Sequence, residues 1–144
     1  DKGMGSLVLS SALLRNIEEG FQGEYIGTDI NPEAGYLYSG KYSNVGKILY
    51  GDSIKSLKNF DKKIDLFVND SDHSSDYEAQ EYKIISKNLS KAAIILGDNS
   101  HVTDKLLKFS INNSRNFLLF KEEPKNHWYP GAGIGISFPK RIND

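Results

Sequence analysis

Short apolar runs and longer stretches with apolar residues three or four apart alternate from one end of the chain to the other. The runs "EYIGTDI", "KILYGD", "KIDLFVND" and "KAAIILGDN" are too short for helices, and each closes in a turn signal. They predict strands over 24–29, 47–50, 64–70 and 92–97. "NFLLFKE" and "GIGISFPK" predict two more, over 116–121 and 133–138, joined by a loop containing "PKNHWYPGAG". Between these lie helix-like segments. "SLVLSSALLRNIEE" has apolar residues at 7, 9, 13, 14 and 17, close to helical spacing. "SIKSLKNF" predicts a short helix with Ser53 as its cap, and "VTDKLLKFSINN" one opening near Thr103. "SSDYEAQEYKIISKNL" predicts a helix capped by Ser74 or Ser75, with acids in its first turn.

Strand and helix in alternation, followed by two strands without a helix between them, predict an α/β fold. The expected architecture is a doubly wound, mostly parallel, Rossmann-like sheet. The last two strands can only be antiparallel, because no crossover helix fits between them, and they are expected at one edge. Ile64–Val68 is expected inside the sheet. Residues 1–144 are long enough for one domain with a single core. Only Asp1 and Lys2 precede the first glycine, so the strand that should feed "GMGS" is missing and an N-terminal truncation is expected.

Composition narrows the function classes. The chain is 38% hydrophobic and 26% charged, with a net charge of -1, as in an ordinary globular protein. Lys62–Lys63 and Lys140–Arg141 are too short to form a basic stripe, so no nucleic-acid footprint is expected. No window is apolar enough for a membrane span, no signal peptide opens the chain, and the cytoplasm is the default expectation. Without cysteine, disulfides and thiolate zinc sites are excluded. The expected partner is a small-molecule substrate; a second copy of the chain, as a homodimer, is left open.

The candidate chemistry gathers at the ends of the strands. In α/β folds a glycine-rich turn before the first helix lets backbone N–H groups approach a ligand, and Gly3 and Gly5 in "DKGMGS" fit that use. The third glycine of a dinucleotide fingerprint is absent. Asp29 in "YIGTDIN" stands where a ribose diol is gripped in nucleotide-binding sheets. Asp52 in "YGDS" is a candidate either for an adenine contact or for a helix cap. Asp70 ends one strand; Asp98 and Asn99 end the next, 28 residues later. Consecutive parallel strands joined by one helix are normally neighbours, which brings these tips to one edge. Two carboxylates and an amide oxygen are hard ligands suited to Mg²⁺ or another divalent cation. His73 and His101 follow the two tips and could ligate, act as bases or contact substrate. His127, Trp128 and Tyr129 are expected to pack in an aromatic hairpin, and Tyr36, Tyr38 and Tyr42 to pack as well.

In this order the motifs resemble class I S-adenosylmethionine-dependent methyltransferases over essentially the whole chain. "DKGMGS" looks like their first motif, "GTDIN" like the strand with the ribose-binding acid, and "GDS" like the adenine-contacting turn. "IDLFVNDSDHSSDY" with "IILGDN" is similar to the branch of metal-dependent O-methyltransferases that includes catechol-type and bacterial sugar or macrolide enzymes. The resemblance implies that Asp70, Asp98 and Asn99 hold Mg²⁺. It points to Asp72 as a base, with His73 one residue on. It implies S-adenosylmethionine as cofactor, with Gly3, Gly5, Asp29 and Asp52 as the residues that bind it, and O-methylation of a small hydroxylated substrate. Two alternatives remain: a nicotinamide-dependent oxidoreductase domain, and a nonenzymatic nucleotide-binding module.

Overall fold

The computed structural model describes residues 2–128 and 131–140. The chain forms two compact units, 1–56 and 57–144. Tyr129 and Arg141 lie outside the described residues.

The first unit starts with helix α1 (Met4–Glu18), followed by strand β1 (Tyr25–Asp29), a 3₁₀ helix at Gly40–Val45 and strand β2 (Gly46–Tyr50). Helix α2 (Ser53–Lys58) begins in this unit and carries the boundary. β1 and β2 pair in parallel with Tyr25 opposite Gly46 and Asp29 opposite Tyr50. The buried positions of α1 are Ser6 and Ser10 rather than its leucines. Both serines turn toward tyrosines: Ser6 Oγ lies 2.8 Å from the Tyr25 hydroxyl, and Ser10 donates to the Tyr38 hydroxyl at 3.4 Å. Tyr25 and Tyr38 meet edge to face, so Tyr38 packs as expected, whereas Tyr36 is exposed. The buried stripe of α1 is thus displaced from its leucines, because a tyrosine pair fills the neighbouring space and serines leave room for it.

The second unit contains β3 (Ile64–Asn69), α3 (Ser75–Ile85), β4 (Leu89–Gly97), α4 (Lys105–Asn112), β5 (Arg115–Lys121) and β6 (Gly133–Pro139). The sheet order is β3-β4-β6-β5. β3 and β4 are parallel, with α3 as the crossover, while β6 is antiparallel to both β4 and β5. The final two strands are therefore antiparallel, as expected, but β6 is inserted between β4 and β5, and β5 takes the outer position. Ile64–Val68 departs from expectation in another way. β3 is an outer strand of its four-stranded sheet, with Leu66 and Val68 45% and 43% exposed, because β4 is its single partner among the described residues.

The core of this unit is Tyr82, Ile85, Ile95 and Leu106, with Phe67, Leu89, Phe109 and Phe117 packed around it. On α3 the buried positions are 78, 81, 82 and 85, one helical face at i, i+3, i+4 and i+7 spacing. Between Ile64 and Leu66 the β3–β4 register shifts, from Leu89 to Ile94. Arg115 of β5 donates from its guanidinium to the carbonyls of Ala93 on β4 and Ser137 on β6, tying the three strands together. Of the aromatic residues expected to pack in a hairpin, Trp128 is 87% exposed with the imidazole of His127 stacked on it, and Tyr129 lies outside the described residues.

Candidate functional site

In a parallel sheet the residues that leave the carboxyl ends of adjacent strands are brought together by the ladder itself. Asn69 pairs with Gly97 at the last rung of β3 and β4, and the Asp98 N–H continues the pairing to the Asn69 carbonyl at 2.9 Å. Asp70 and Asp98 are therefore the first side chains past the ladder on neighbouring strands.

His73 joins them. Its Nε2 lies 4.0 Å from Asp70 Oδ1 and 4.0 Å from Asp98 Oδ2. One ligand atom from each of these three residues lies within 4.8 Å of the other two. Asn99, in the left-handed backbone region at φ 52, places its amide Nδ2 3.3 Å from the same imidazole nitrogen. Partial burial pushes the Asp70 carboxyl up from its ordinary value, and the Asp98 carboxylate beside it adds to the rise; His73 acts the other way. Asp70, Asp98 and Asn99 are thus brought to one place, with His73 between them.

The donor chemistry fits a divalent cation. Two carboxylates suit Mg²⁺, Ca²⁺ or Mn²⁺, and an imidazole widens the range toward later transition metals. Asn99 would need to turn its amide by half a rotation to offer oxygen, an orientation set by hydrogen bonding rather than by shape.

Asp72 is outside this cluster. Its Oδ1 accepts the Ser74 N–H at 2.7 Å in the turn before α3. Hydrogen bonds from Ser74 hold its carboxyl below the ordinary range. His101 also stands apart, its ring against Gly133 of β6.

Two carboxylates escaped the sequence reading. Glu81 and Glu78 of α3 are 2% and 4% exposed. Glu81 accepts from Asn69 Nδ2 and from Ser71 Oγ, the latter at 2.6 Å. Glu78 accepts from the Tyr82 hydroxyl at 2.8 Å and from Thr103 Oγ1. Their signal was the spacing with Tyr82 and Ile85, hidden because charged residues on a helix are normally read as its wet face.

In the first unit, Gly3 is the cap of α1 at φ 96, and a Cβ there would lie 3.0 Å from the Gly35 Cα. Gly5 lies in the first turn of α1, with nothing within 4 Å of an added Cβ. Asp29 ends β1 and accepts the Asn31 N–H at 2.9 Å. Its carbonyl accepts the Gly51 N–H at 2.8 Å, so the tips of β1 and β2 are joined by backbone. Asp52 Oδ1 accepts the Lys55 N–H at 3.0 Å, so Asp52 rather than Ser53 caps α2. Ser53 is instead the first residue of that helix and is buried.

Residues 1–100 match the family described as methyltransferase domain. The chain belongs to that family. Its fold is the Rossmann-like α/β fold of such domains, as solved structures also show. It is similar to precorrin-6y C5,15-methyltransferase from Geobacter metallireducens, with TM-score 0.68 and 11% identity over 97% of this chain and 78% of that one. It is also similar to the O-methyltransferase TomG from Streptomyces achromogenes, solved with SAM (TM-score 0.60, 8% identity, 83% and 63% of the two chains). The O-methyltransferase from Bacillus cereus, solved with SAH, gives TM-score 0.58 and 9% identity over 82% and 63%. No curated protein sequence matches the chain. Among the described residues of this methyltransferase domain, no helix is long and apolar enough to cross a membrane.

Proposed function

We propose that this methyltransferase domain transfers a methyl group from S-adenosylmethionine to a hydroxyl oxygen of a small acceptor, with a divalent cation at the tips of β3 and β4. The observation that carries the reading is the convergence of Asp70, His73 and Asp98 within 4.8 Å of one another in a chain of this family. Solved neighbours that carry SAM or SAH, two of them O-methyltransferases, support the choice of cofactor and acceptor atom.

Asp70, Asp98 and His73, with Asn99 beside them, would hold the cation, which when bound would lower the pKa of an acceptor hydroxyl. Asp72, ionised at neutral pH, is the residue assigned to take the proton. Asp29 is assigned to the ribose hydroxyls, Gly3 and Gly5 to the approach of backbone N–H groups at the start of α1, and Asp52 to the adenine end. Alignment of acceptor and methyl donor contributes to the rate of such an in-line displacement.

Calorimetric titration with S-adenosylmethionine and with NAD tests the cofactor. Binding of the first alone supports the reading, and binding of NAD alone returns the oxidoreductase alternative. Methyl transfer to hydroxylated acceptors in excess chelator tests the cation. Undiminished transfer would remove it from the mechanism. Binding without transfer to any acceptor would favour the nonenzymatic alternative.

A further inference from the structure

Two carboxylates buried in an α/β core need a reason, since each loses its hydration and must recover it from fixed donors. On α3, Glu81 and Glu78 sit one turn apart and reach in two directions. Glu81 accepts from the side chains of Asn69 and Ser71, the residues on either side of Asp70. Glu78 accepts from Thr103, at the far end of the loop that begins with Asp98 and Asn99, and from Tyr82 on its own helix. Asn69 in turn takes the Asp98 N–H on its carbonyl, so the Glu81 bond to its side chain and the backbone bond to β4 meet at one residue.

We propose that Glu81 is a positioning residue for the cluster of Asp70, His73 and Asp98, with Glu78 as its counterpart on the second loop. A single carboxylate oxygen, Oε2 of Glu81, receives both Asn69 and Ser71. That fixes the chain just before and just after Asp70, leaving the Asp70 side chain to face the imidazole and the Asp98 carboxylate. Glu78 fixes Thr103, whose Oγ1 also receives the Lys105 N–H at 3.3 Å, so the loop from Asp98 enters α4 at a set place. α3 therefore holds the ends of both ligand-bearing loops from beneath. Outer partners of this kind typically alter metal affinity by about 10–100-fold when removed.

The inference rests on the proposed cation reading for its affinity readout, and on backbone exchange for a readout without metal. The probe is Mn²⁺, followed by electron paramagnetic resonance, with amide hydrogen exchange at Asp98 measured in metal-free protein. Glu81→Ala should weaken Mn²⁺ binding about 10–100-fold and speed Asp98 exchange, while Glu81→Gln, which still offers an oxygen to Asn69 and Ser71, should restore most of both. Ser71→Ala removes one bond from the exposed side, so it should fold as the parent does and still weaken Mn²⁺ binding several-fold. Thr103→Val should do the same through the second loop. Parent-like Mn²⁺ affinity in folded Glu81→Ala, or in Ser71→Ala if the former does not fold, would overturn the proposal. Should the parent itself bind no Mn²⁺, the cation reading fails separately. Unchanged Asp98 exchange in Glu81→Ala, or in Ser71→Ala, would then overturn the positioning role on its own.

Discussion

The Asp98 N–H donates to the Asn69 carbonyl at 2.9 Å, and this bond, one rung past the β3–β4 ladder, sets the separation of Asp70 from Asp98. The two carboxylates are held near each other by backbone pairing, not by any attraction of their own. Their repulsion is built in, and it is relieved by a proton, by a cation or by removal of one charge.

Asp70→Asn should therefore raise the melting temperature of the metal-free protein at pH 7. The Asp70 carboxyl is pushed above its ordinary value in the folded state, by partial burial and then by Asp98. Between the unfolded and folded values the folded protein binds more protons, so stability falls as pH rises through that window. The asparagine variant should lose that part of the pH dependence, and added Mn²⁺ should stabilise the parent more than the variant. Thermal melts in chelator from pH 4 to pH 8 check this. A variant that melts below the parent throughout that range would show that the charge is not in conflict.

The glycines at the start of α1 should separate in their behaviour. Gly3 has φ 96, with Gly35 3.0 Å from the place of a Cβ, so Gly3→Ala should cost about 1 kcal/mol or more in denaturant unfolding. Gly5 is inside the helix with open space, so Gly5→Ala should stabilise by about 0.5–1 kcal/mol. If Gly5 serves cofactor approach, its alanine variant should bind S-adenosylmethionine less tightly despite being more stable. Equal or tighter binding would leave Gly5 as a helix residue alone.

Much of this arrangement was legible in the sequence because strand tips announce themselves. "VND" and "LGDN" each end an apolar run with acid, and the parallel crossover through α3 then places Asp70 and Asp98 side by side. Among the described residues, the strands β1–β6 follow from the short apolar runs, α2 from a capping signal, and α3 from a capping signal and first-turn acids. What was not legible depends on partners distant in sequence. Glu78 and Glu81 look like surface residues until Asn69, Ser71 and Thr103 supply their donors. The serine face of α1 follows from Tyr25 and Tyr38, which no local pattern connects to it. The insertion of β6 between β4 and β5 is a choice of neighbour, and alternation along a strand does not specify neighbours.

The two acids of the first unit should differ in what they affect. Asp29→Ala should weaken S-adenosylmethionine binding by about 1–3 kcal/mol, the scale of buried donors left unpaired. Asp52→Ala removes the cap of α2 and should cost about 1 kcal/mol of stability. Its effect on cofactor affinity should be smaller than that of Asp29→Ala, because the assigned adenine contact is a single hydrogen bond whereas the ribose offers Asp29 two hydroxyl donors. Calorimetry beside denaturant melts resolves the two. A folded Asp29→Ala that binds as the parent does would take Asp29 out of the cofactor site.

His73 and Asp72 are adjacent in sequence and should divide their roles. The His73 Nε2 stands 4.0 Å from both carboxylates, where an ion bound to all three could reach each donor. The Asp72 carboxylate instead faces the Ser74 N–H. His73→Ala should therefore weaken Mn²⁺ binding by at least about tenfold, as loss of an inner ligand must exceed the lower end of the effect of an outer one. Asp72→Ala should leave Mn²⁺ affinity within about twofold and lower kcat. The fall should lie at or below the low end of the roughly 10²–10⁴-fold range for general bases, since a carboxylate held below its ordinary pKa is a weak proton acceptor. Paired measurements of Mn²⁺ affinity and kcat in both variants decide the assignment. If His73→Ala binds Mn²⁺ normally and loses turnover, the imidazole is the base, and the cation rests on Asp70, Asp98 and Asn99.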